Sequence, residues 1–226
     1  MKYTLLNISL AFAAVFTINT AAAQTEHRYT INPAVSVDKE FTETITAGVE
    51  AEANFCNATS SKDFAIKPFI EYQPLKFLTL AAEYRFKYED EAGETAWQRR
   101  LGLSVKGKYG FEHFKFDCRL KYTLYNEDYD DDSKRQYFRT RFGAQYKIKP
   151  IKLTPYVNYE WFYNIPRGLV DRDRWTFGVK KKLNKQSTIG VEYQLDEHFN
   201  RVNAKRTKYK NDIAEHVFCF YYEYSF

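Results

Sequence analysis

Glycine and proline are scarce: 9 and 6 in a chain of 226 residues, which excludes collagen-like and low-complexity architectures. Cysteine is scarcer still. Cys56, Cys118 and Cys219 are too few and too far apart for a disulfide framework or a zinc-ligand spacing. After residue 23 no apolar run approaches ~18 residues, so no spanning helix is expected. An excess of one charge is lacking too. The net charge of +5, from 34 bases and 29 acids, is too mild to imply a nucleic-acid partner. What is abundant is aromatic: 19 Tyr, 19 Phe and 3 Trp, far too many for a disordered chain.

The first residues have the layout of an export signal. Lys2 supplies a positive start, Leu5 to Phe16 is mostly apolar, and Ala21-Ala22-Ala23 offers a small-residue cleavage site. The expectation is a cleaved signal peptide over 1–23, with 24–226 as the mature unit. No Cys follows the apolar run, so no lipid anchor is expected. The mature chain is then either secreted and soluble or crosses a membrane as strands.

Its hydrophobic pattern has a period of two. From Leu78 to Glu89 one parity reads Leu78, Leu80, Ala82, Tyr84, Phe86, Tyr88, and the other reads Thr79, Ala81, Glu83, Arg85, Lys87, Glu89. Such sets fall on opposite faces of a strand. Phe114 to Leu124 and Phe142 to Ile148 repeat the pattern, as does the run from Leu101 to Tyr109. Weaker versions lie at Ile45–Phe55, Phe64–Tyr72, Leu153–Tyr163, Arg174–Leu183, Thr188–Leu195 and Asp212–Phe226. An eleventh segment, Tyr29–Val37, precedes them and contains Pro33, which suits a central strand poorly.

Connections alternate as well. Short ones centre on Lys39, Leu75, Phe111, Pro150 and Lys185. Long polar ones cover Cys56–Asp63, Asp90–Ala96, Glu127–Lys134, Pro166–Asp173 and Phe199–Asn211. Strands of about 11–13 residues exceed the usual ~5–6 and match the ~9–11 that a tilted strand needs to cross a bilayer. A soluble sandwich or lipocalin-like barrel would bury Val, Ile and Leu on the apolar face. Here that face is rich in Tyr, Phe and Trp near strand ends, as in the aromatic girdles of membrane barrels. The fold expected is therefore all-β: an antiparallel up-and-down transmembrane barrel of ten to twelve strands, with short periplasmic turns and longer extracellular loops. Eleven strands would put the two ends of the wall on opposite sides, whereas single-chain bacterial barrels have even counts. Either Tyr29–Val37 lies outside the wall or a further strand exists.

The last segment places Phe218, Phe220, Tyr222, Tyr224 and Phe226 on one parity. This resembles the assembly signal of bacterial outer-membrane barrels, which implies the barrel-insertion machinery as a partner and the outer-membrane lipid as surroundings. The turn sequences Tyr146-Lys147-Ile148-Lys149-Pro150 and Lys181-Lys182-Leu183-Asn184-Lys185 carry a wider resemblance. So do Pro74-Leu75-Lys76-Phe77-Leu78-Thr79-Leu80 with Glu83-Tyr84-Arg85, and Leu153-Thr154-Pro155-Tyr156. Together they resemble a domain-of-unknown-function family of small Gram-negative outer-membrane barrels. The resemblance implies an outer-membrane location and brings no catalytic residue.

Chemistry is thinly signposted. The four histidines (His27, His113, His198, His216) show no His-x-Ser spacing for a Ser–His esterase. Asp196-Glu197-His198 and the acidic run Asp128-Tyr129-Asp130-Asp131-Asp132 fall near long-loop ends. An Asp-x-His with an Asp-x-Asp is similar to the water-activating sites of omptin proteases, which makes Asp130, Asp132, Asp196 and His198 the alternative hydrolase site. The acidic run lacks the glycine-bearing spacing of a calcium loop, so no metal or cofactor is expected. On the inward parity, Arg85, Lys87, Arg100, Lys106, Arg119, Lys121, Arg139 and Arg141 form a basic wall. Glu50, Glu52, Glu160, Glu192 and Glu223 should form an acidic wall facing it. The leading expectation is a non-enzymatic protein, either a structural barrel filled by ion pairs or a narrow channel for a small polar solute.

Overall fold

The computed structural model describes residues 25–57, 62–91, 94–127, 135–201 and 212–226. The proposed export signal and the acidic run Asp128–Asp132 lie outside them. Eleven strands account for nearly all the rest: β1 (Glu26–Glu40), β2 (Ile45–Cys56), β3 (Lys62–Leu75), β4 (Leu78–Glu91), β5 (Glu94–Phe111), β6 (Phe114–Glu127), β7 (Gln136–Tyr146), β8 (Leu153–Asn164), β9 (Leu169–Lys182), β10 (Ser187–His198) and β11 (Ile213–Ser225). They pair in chain order and close into a barrel. Every neighbouring pair is antiparallel except one: β1 and β11 meet in parallel, in register from Glu26↔Ile213 to Asp38↔Ser225.

The wall therefore has eleven members, with Tyr29–Val37 among them. Pro33 is accommodated by its neighbour. Ile31 pairs with Phe55 and Ala34 with Glu52, so Ala53 stands opposite Pro33, which has no N–H to offer it. Asn32 Nδ2 donates to the Ala53 carbonyl instead, at 3.1 Å, and to Asn54 Oδ1 at 2.7 Å. Parallel ladders are slightly weaker per residue than antiparallel ones. Side chains reinforce this seam at both ends: Thr30 Oγ1 donates to Glu215 Oε1 at 2.8 Å, and Ser225 Oγ donates to Asp38 Oδ1 at 3.0 Å. The Phe226 N–H adds a bond to the Asp38 carbonyl at 3.0 Å.

Two expected loops are shorter than the sequence suggests. β4 runs to Glu91 and β5 begins at Glu94, so most of Asp90–Ala96 is strand; β9 likewise begins at Leu169, inside the expected loop Pro166–Asp173. Polar composition misled there because the strand ends project charged side chains on both parities. The short turns lie at one end of the barrel, as expected, with a one-turn 3-10 helix (Lys149–Ile151) carrying Pro150. The ends of β2, β6 and β10 and the starts of β3, β7 and β11 lie at the other, called here the loop end.

The protein is apolar outside and polar inside. Phe41, Phe77 and Tyr109 are 63%, 59% and 68% exposed, and Ile31, Ile66, Leu103 and Phe220 are also exposed. Outward rings gather near both ends: Tyr88 with Trp97 (5.3 Å between centroids) and Phe55 with Phe64 (6.5 Å) at the loop end, and Phe114 with Tyr146 (4.8 Å) at the turn end. Aliphatic residues such as Val35, Ile70 and Leu120 lie between. The buried side chains are mostly polar or charged, among them Lys121, Thr123, Arg139, Glu160 and Asp196. No helix among the described residues is long and apolar enough to cross a membrane.

Candidate functional site

The inward parity of each strand lines a cavity of about 960 Å³. A second of about 370 Å³ adjoins it at the turn end. On β1 the inward residues Arg28, Thr30, Asn32, Ala34 and Ser36 line the first, and Ser36 and Asp38 line the second. The polar space thus follows β1 for nearly its whole length.

Charges in this space hug the wall. The expected basic wall facing an acidic one is not what the barrel builds. Acids on β2, β4, β6, β8 and β10, with Asp63 on β3 and Glu215 and Glu223 on β11, are interleaved with the bases, and the cross-strand ion pairs join neighbouring strands or strands two places apart. Glu50 accepts from Lys67 at 2.5 Å, Arg85 pairs with Glu52, and Arg141 donates to Asp117 at 2.8 Å. Adjacent strands are ~4.8 Å apart, so an Arg and a Glu two strands apart can touch, whereas opposite walls of a barrel this size stand about 20 Å apart. Ion pairs that lie along the wall do not reach across the cavity.

Three carboxylates each serve two cations. Glu83 on β4 takes Arg100 (3.3 Å) and Lys121 (2.6 Å). Glu160 on β8 takes Arg119 (2.7 Å) and Arg139 (2.8 Å). Asp196 on β10 takes Arg172 and Arg174, the latter at 2.5 Å. Phe162, only 1% exposed, points inward among them. The guanidiniums of Arg139, Arg172 and Arg174 lie 4.3, 4.5 and 5.6 Å from its ring centre, within cation–π range. The sequence run Trp161-Phe162-Tyr163 conceals this residue, because three consecutive aromatics carry no parity. The shared role of Glu83 was also missed. It alternates correctly in β4, but nothing local shows that Lys121, two strands away, reaches it.

Nearer the turn end, aromatic rings lie flat on glycines. Tyr156 covers Gly178 and Tyr221 covers Gly190; added Cβ atoms would come within 2.3 and 2.1 Å of their respective rings. The two hydroxyls meet at 3.2 Å, and Tyr156 donates to Glu192 at 2.6 Å.

Of the hydrolase candidates, Asp196 and His198 are brought to 3.7 Å, but in the wall rather than on a loop: both belong to the end of β10, and Asp196 is 1% exposed. Asp130 and Asp132 lie outside the described residues. Both Asp196 oxygens already accept from guanidinium groups, Oδ1 from Arg172 Nε at 2.6 Å and Oδ2 from Arg174 Nε at 3.0 Å. Neither oxygen is left free to take a proton from a water. Asp196, His198 and Glu215 are close enough together to hold a cation, but an incoming ion would have to displace both arginines from Asp196. Elsewhere His216 bonds His27 at 3.0 Å and Tyr193 at 2.7 Å on the outward face, with no serine among these partners. Purified protein is accordingly expected to cleave neither peptide nor lipid ester. Cleavage abolished by His198→Ala would assign this corner to hydrolysis instead.

A protein-family profile described as "Protein of unknown function (DUF2490)" matches residues 20–207. No curated protein is significantly similar. Among solved structures, a "Bacterial polysaccharide outer membrane secretin" aligns over 81% of this chain and 63% of its own, at 9% identity and a TM-score of 0.49. An "Anion-selective porin from Comamonas acidovorans" aligns over 76% and 54%, at 11% identity and a TM-score of 0.37. The chain spans less than two thirds of either, and the likeness says nothing of substrate.

Proposed function

The chain belongs to the DUF2490 family, and on that premise we propose that it is a non-enzymatic β-barrel of the bacterial outer membrane whose lumen passes small polar solutes. The observation that carries the channel reading is the polar cavity lined by every inward residue of β1 from Arg28 to Asp38. The membrane reading draws on the inverted polarity of the wall, with Phe77 and Phe220 exposed while Arg139 and Glu160 are buried. Water is a poor solvent for such an outer face and hydrocarbon a good one. In this reading residues 1–23 are the cleaved export signal, the outward face meets lipid, and the short turns face the periplasm.

Conductance in planar bilayers tests the channel. Discrete steps of small size are expected from purified, refolded protein. A barrel that refolds, shows heat-modifiable migration in detergent gels and yet stays silent would be a filled structural barrel.

The location is tested separately through the last residue. Phe226 is 56% exposed on the outward parity, its ring 5.9 Å from Tyr224 and 5.5 Å from the Lys39 ammonium. A charge near a membrane interface costs only ~0–1 kcal/mol. Phe226→Asp is therefore expected to refold nearly normally in detergent, yet to yield far less assembled barrel in cells than Ser225→Asn. Equal yields in cells would remove the assembly signal from this reading.

A further inference from the structure

Two of the three shared carboxylates, Glu160 and Asp196, sit in a belt of inward residues with its own register, and Glu83 joins it through Lys121. Lys121, Arg139, Phe162, Arg172 and His198 are successive cross-strand partners over β6 to β10. One step toward the turn end, Arg119, Arg141, Glu160, Arg174 and Asp196 form a parallel row. Lys121 thus stands directly opposite Arg139, and Arg119 opposite Arg141. Like charges directly opposite destabilise a sheet, so this arrangement costs stability unless something negative lies against it.

The carboxylates present supply only part of that charge. Six cations (Arg100, Arg119, Lys121, Arg139, Arg172 and Arg174) share Glu83, Glu160 and Asp196. Among the described residues that line the larger cavity, fourteen are Lys or Arg and eleven are Asp or Glu. Apart from these six cations and three carboxylates the two kinds balance at eight each, Arg141 being paired with Asp117, so the surplus of three positive charges falls on the six. Donors are also in surplus. The buried Nε atoms of Arg100, Arg119 and Arg139 have no hydrogen-bond partner. A buried donor without a partner is costly, and a guanidinium's planar fork matches oxyanions. Phe162 lies against three of the guanidiniums; Arg172 and Arg174 give their Nε and Nη2 donors to Asp196, while Arg139, with one Nη2 on Glu160, keeps its Nε donor for a ligand.

We infer that this belt is an anion site within the lumen: it makes the channel anion-selective and binds small oxyanions that carry more than one negative charge. The inference rests on the channel reading for its transport half and on the belt alone for its binding half. Rings of Arg and Lys are the usual means by which pores select anions.

The experiment has two arms. In planar bilayers under a potassium chloride gradient, the reversal potential is expected to show chloride permeating several-fold better than potassium, and millimolar inorganic phosphate is expected to reduce the chloride current. The double variant Arg119→Gln, Arg174→Gln keeps the Arg139–Glu160 and Arg172–Asp196 pairs while removing two of the three surplus charges. It is expected to bring the permeability ratio close to one and to relieve the phosphate block. A conducting wild type with no preference for chloride overturns the inference and leaves the channel standing. In the second arm, the detergent-refolded barrel is melted with phosphate and with chloride at equal ionic strength. A higher melting temperature in phosphate, lost in the double variant, supports the binding site even in a barrel that conducts nothing. No phosphate-specific shift overturns it. Should the double variant fail to refold, Arg119→Gln and Arg174→Gln are measured singly, each expected to give part of the effect.

Discussion

Alanine at Gly48 is expected to cost the barrel about 3 kcal/mol, near the upper end for overpacking. A Cβ there would lie 2.6 Å from the Val37 carbonyl oxygen, 2.7 Å from Asp38 Cβ and 2.7 Å from Phe69 Cζ. The Phe69 ring can swing away, but the Val37 carbonyl belongs to the backbone of β1, which pairs with β2 around Asp38↔Gly48. Relief therefore requires moving two strands apart. Gly178→Ala and Gly190→Ala should cost less, because the atoms they meet are the outer ends of the Tyr156 and Tyr221 rings. Gly107→Ala should be nearly neutral, since its nearest neighbour would be 4.0 Å away. Urea midpoints of the four variants, refolded in the same detergent, give the order directly. Gly48→Ala unfolding with the same midpoint as Gly107→Ala would show that the close approach of β1 and β2 is not as drawn.

The second large effect is expected at Asp196. Removing one member of a buried pair leaves the other charge uncompensated, typically at roughly 3–5 kcal/mol. Asp196→Asn strands two guanidiniums at once, those of Arg172 and Arg174, at a position that is 1% exposed. Water in the lumen softens the loss, so about 3 kcal/mol is the figure expected. Arg174→Gln, by contrast, leaves the Arg172–Asp196 pair in place and should cost under half as much. The comparison is made by chemical unfolding of both variants in low salt and again in high salt. Equal losses for the two would mean that Asp196 serves Arg172 and Arg174 independently, as an exposed ion pair would, rather than as a shared counter-charge.

Most of the wall was legible because a strand's parity is a local property. Leu80 and Phe86 point out and Glu83, Arg85 and Lys87 point in, as the alternation from Leu78 to Glu89 requires. The start of β4 at Leu78 and of β6 at Phe114 coincide with the expected segments. What was not legible depends on distant parts of the chain. Pro33 argued locally against a wall strand, and only the Asn32 side chain bonding to Ala53 shows how the ladder tolerates it. The pairing of charges could not be read either, because it depends on which strand lies two places away and at what height. Glu160 and Asp196 were separately noticed, one as part of an acidic wall and the other near the long-loop end of a strand. Their common role as shared counter-ions appears only when β6 to β10 are set in register. Phe162 illustrates a third kind of loss, in which the pattern is locally saturated: between Trp161 and Tyr163 no hydrophobicity contrast remains to mark the inward ring, and an irregularity in the β8–β9 ladder falls beside it.

The parallel seam fixes where attachments to the barrel can go. Because β1 and β11 run the same way, Glu26 lies beside Ile213 at the loop end, whereas Phe226 lies near Asp38 at the turn end. A reporter inserted just before Glu26 and one appended after Phe226 would consequently stand at opposite ends of the barrel and, in the proposed outer-membrane setting, on opposite sides of the membrane. The same geometry defeats circular permutation by a short linker, since joining the two ends would require a chain that recrosses the full height of the wall. It also gives the closing ladder a long reach in sequence: Asp38 pairs with Ser225, 187 residues downstream, whereas the other ladders join strands adjacent in the chain.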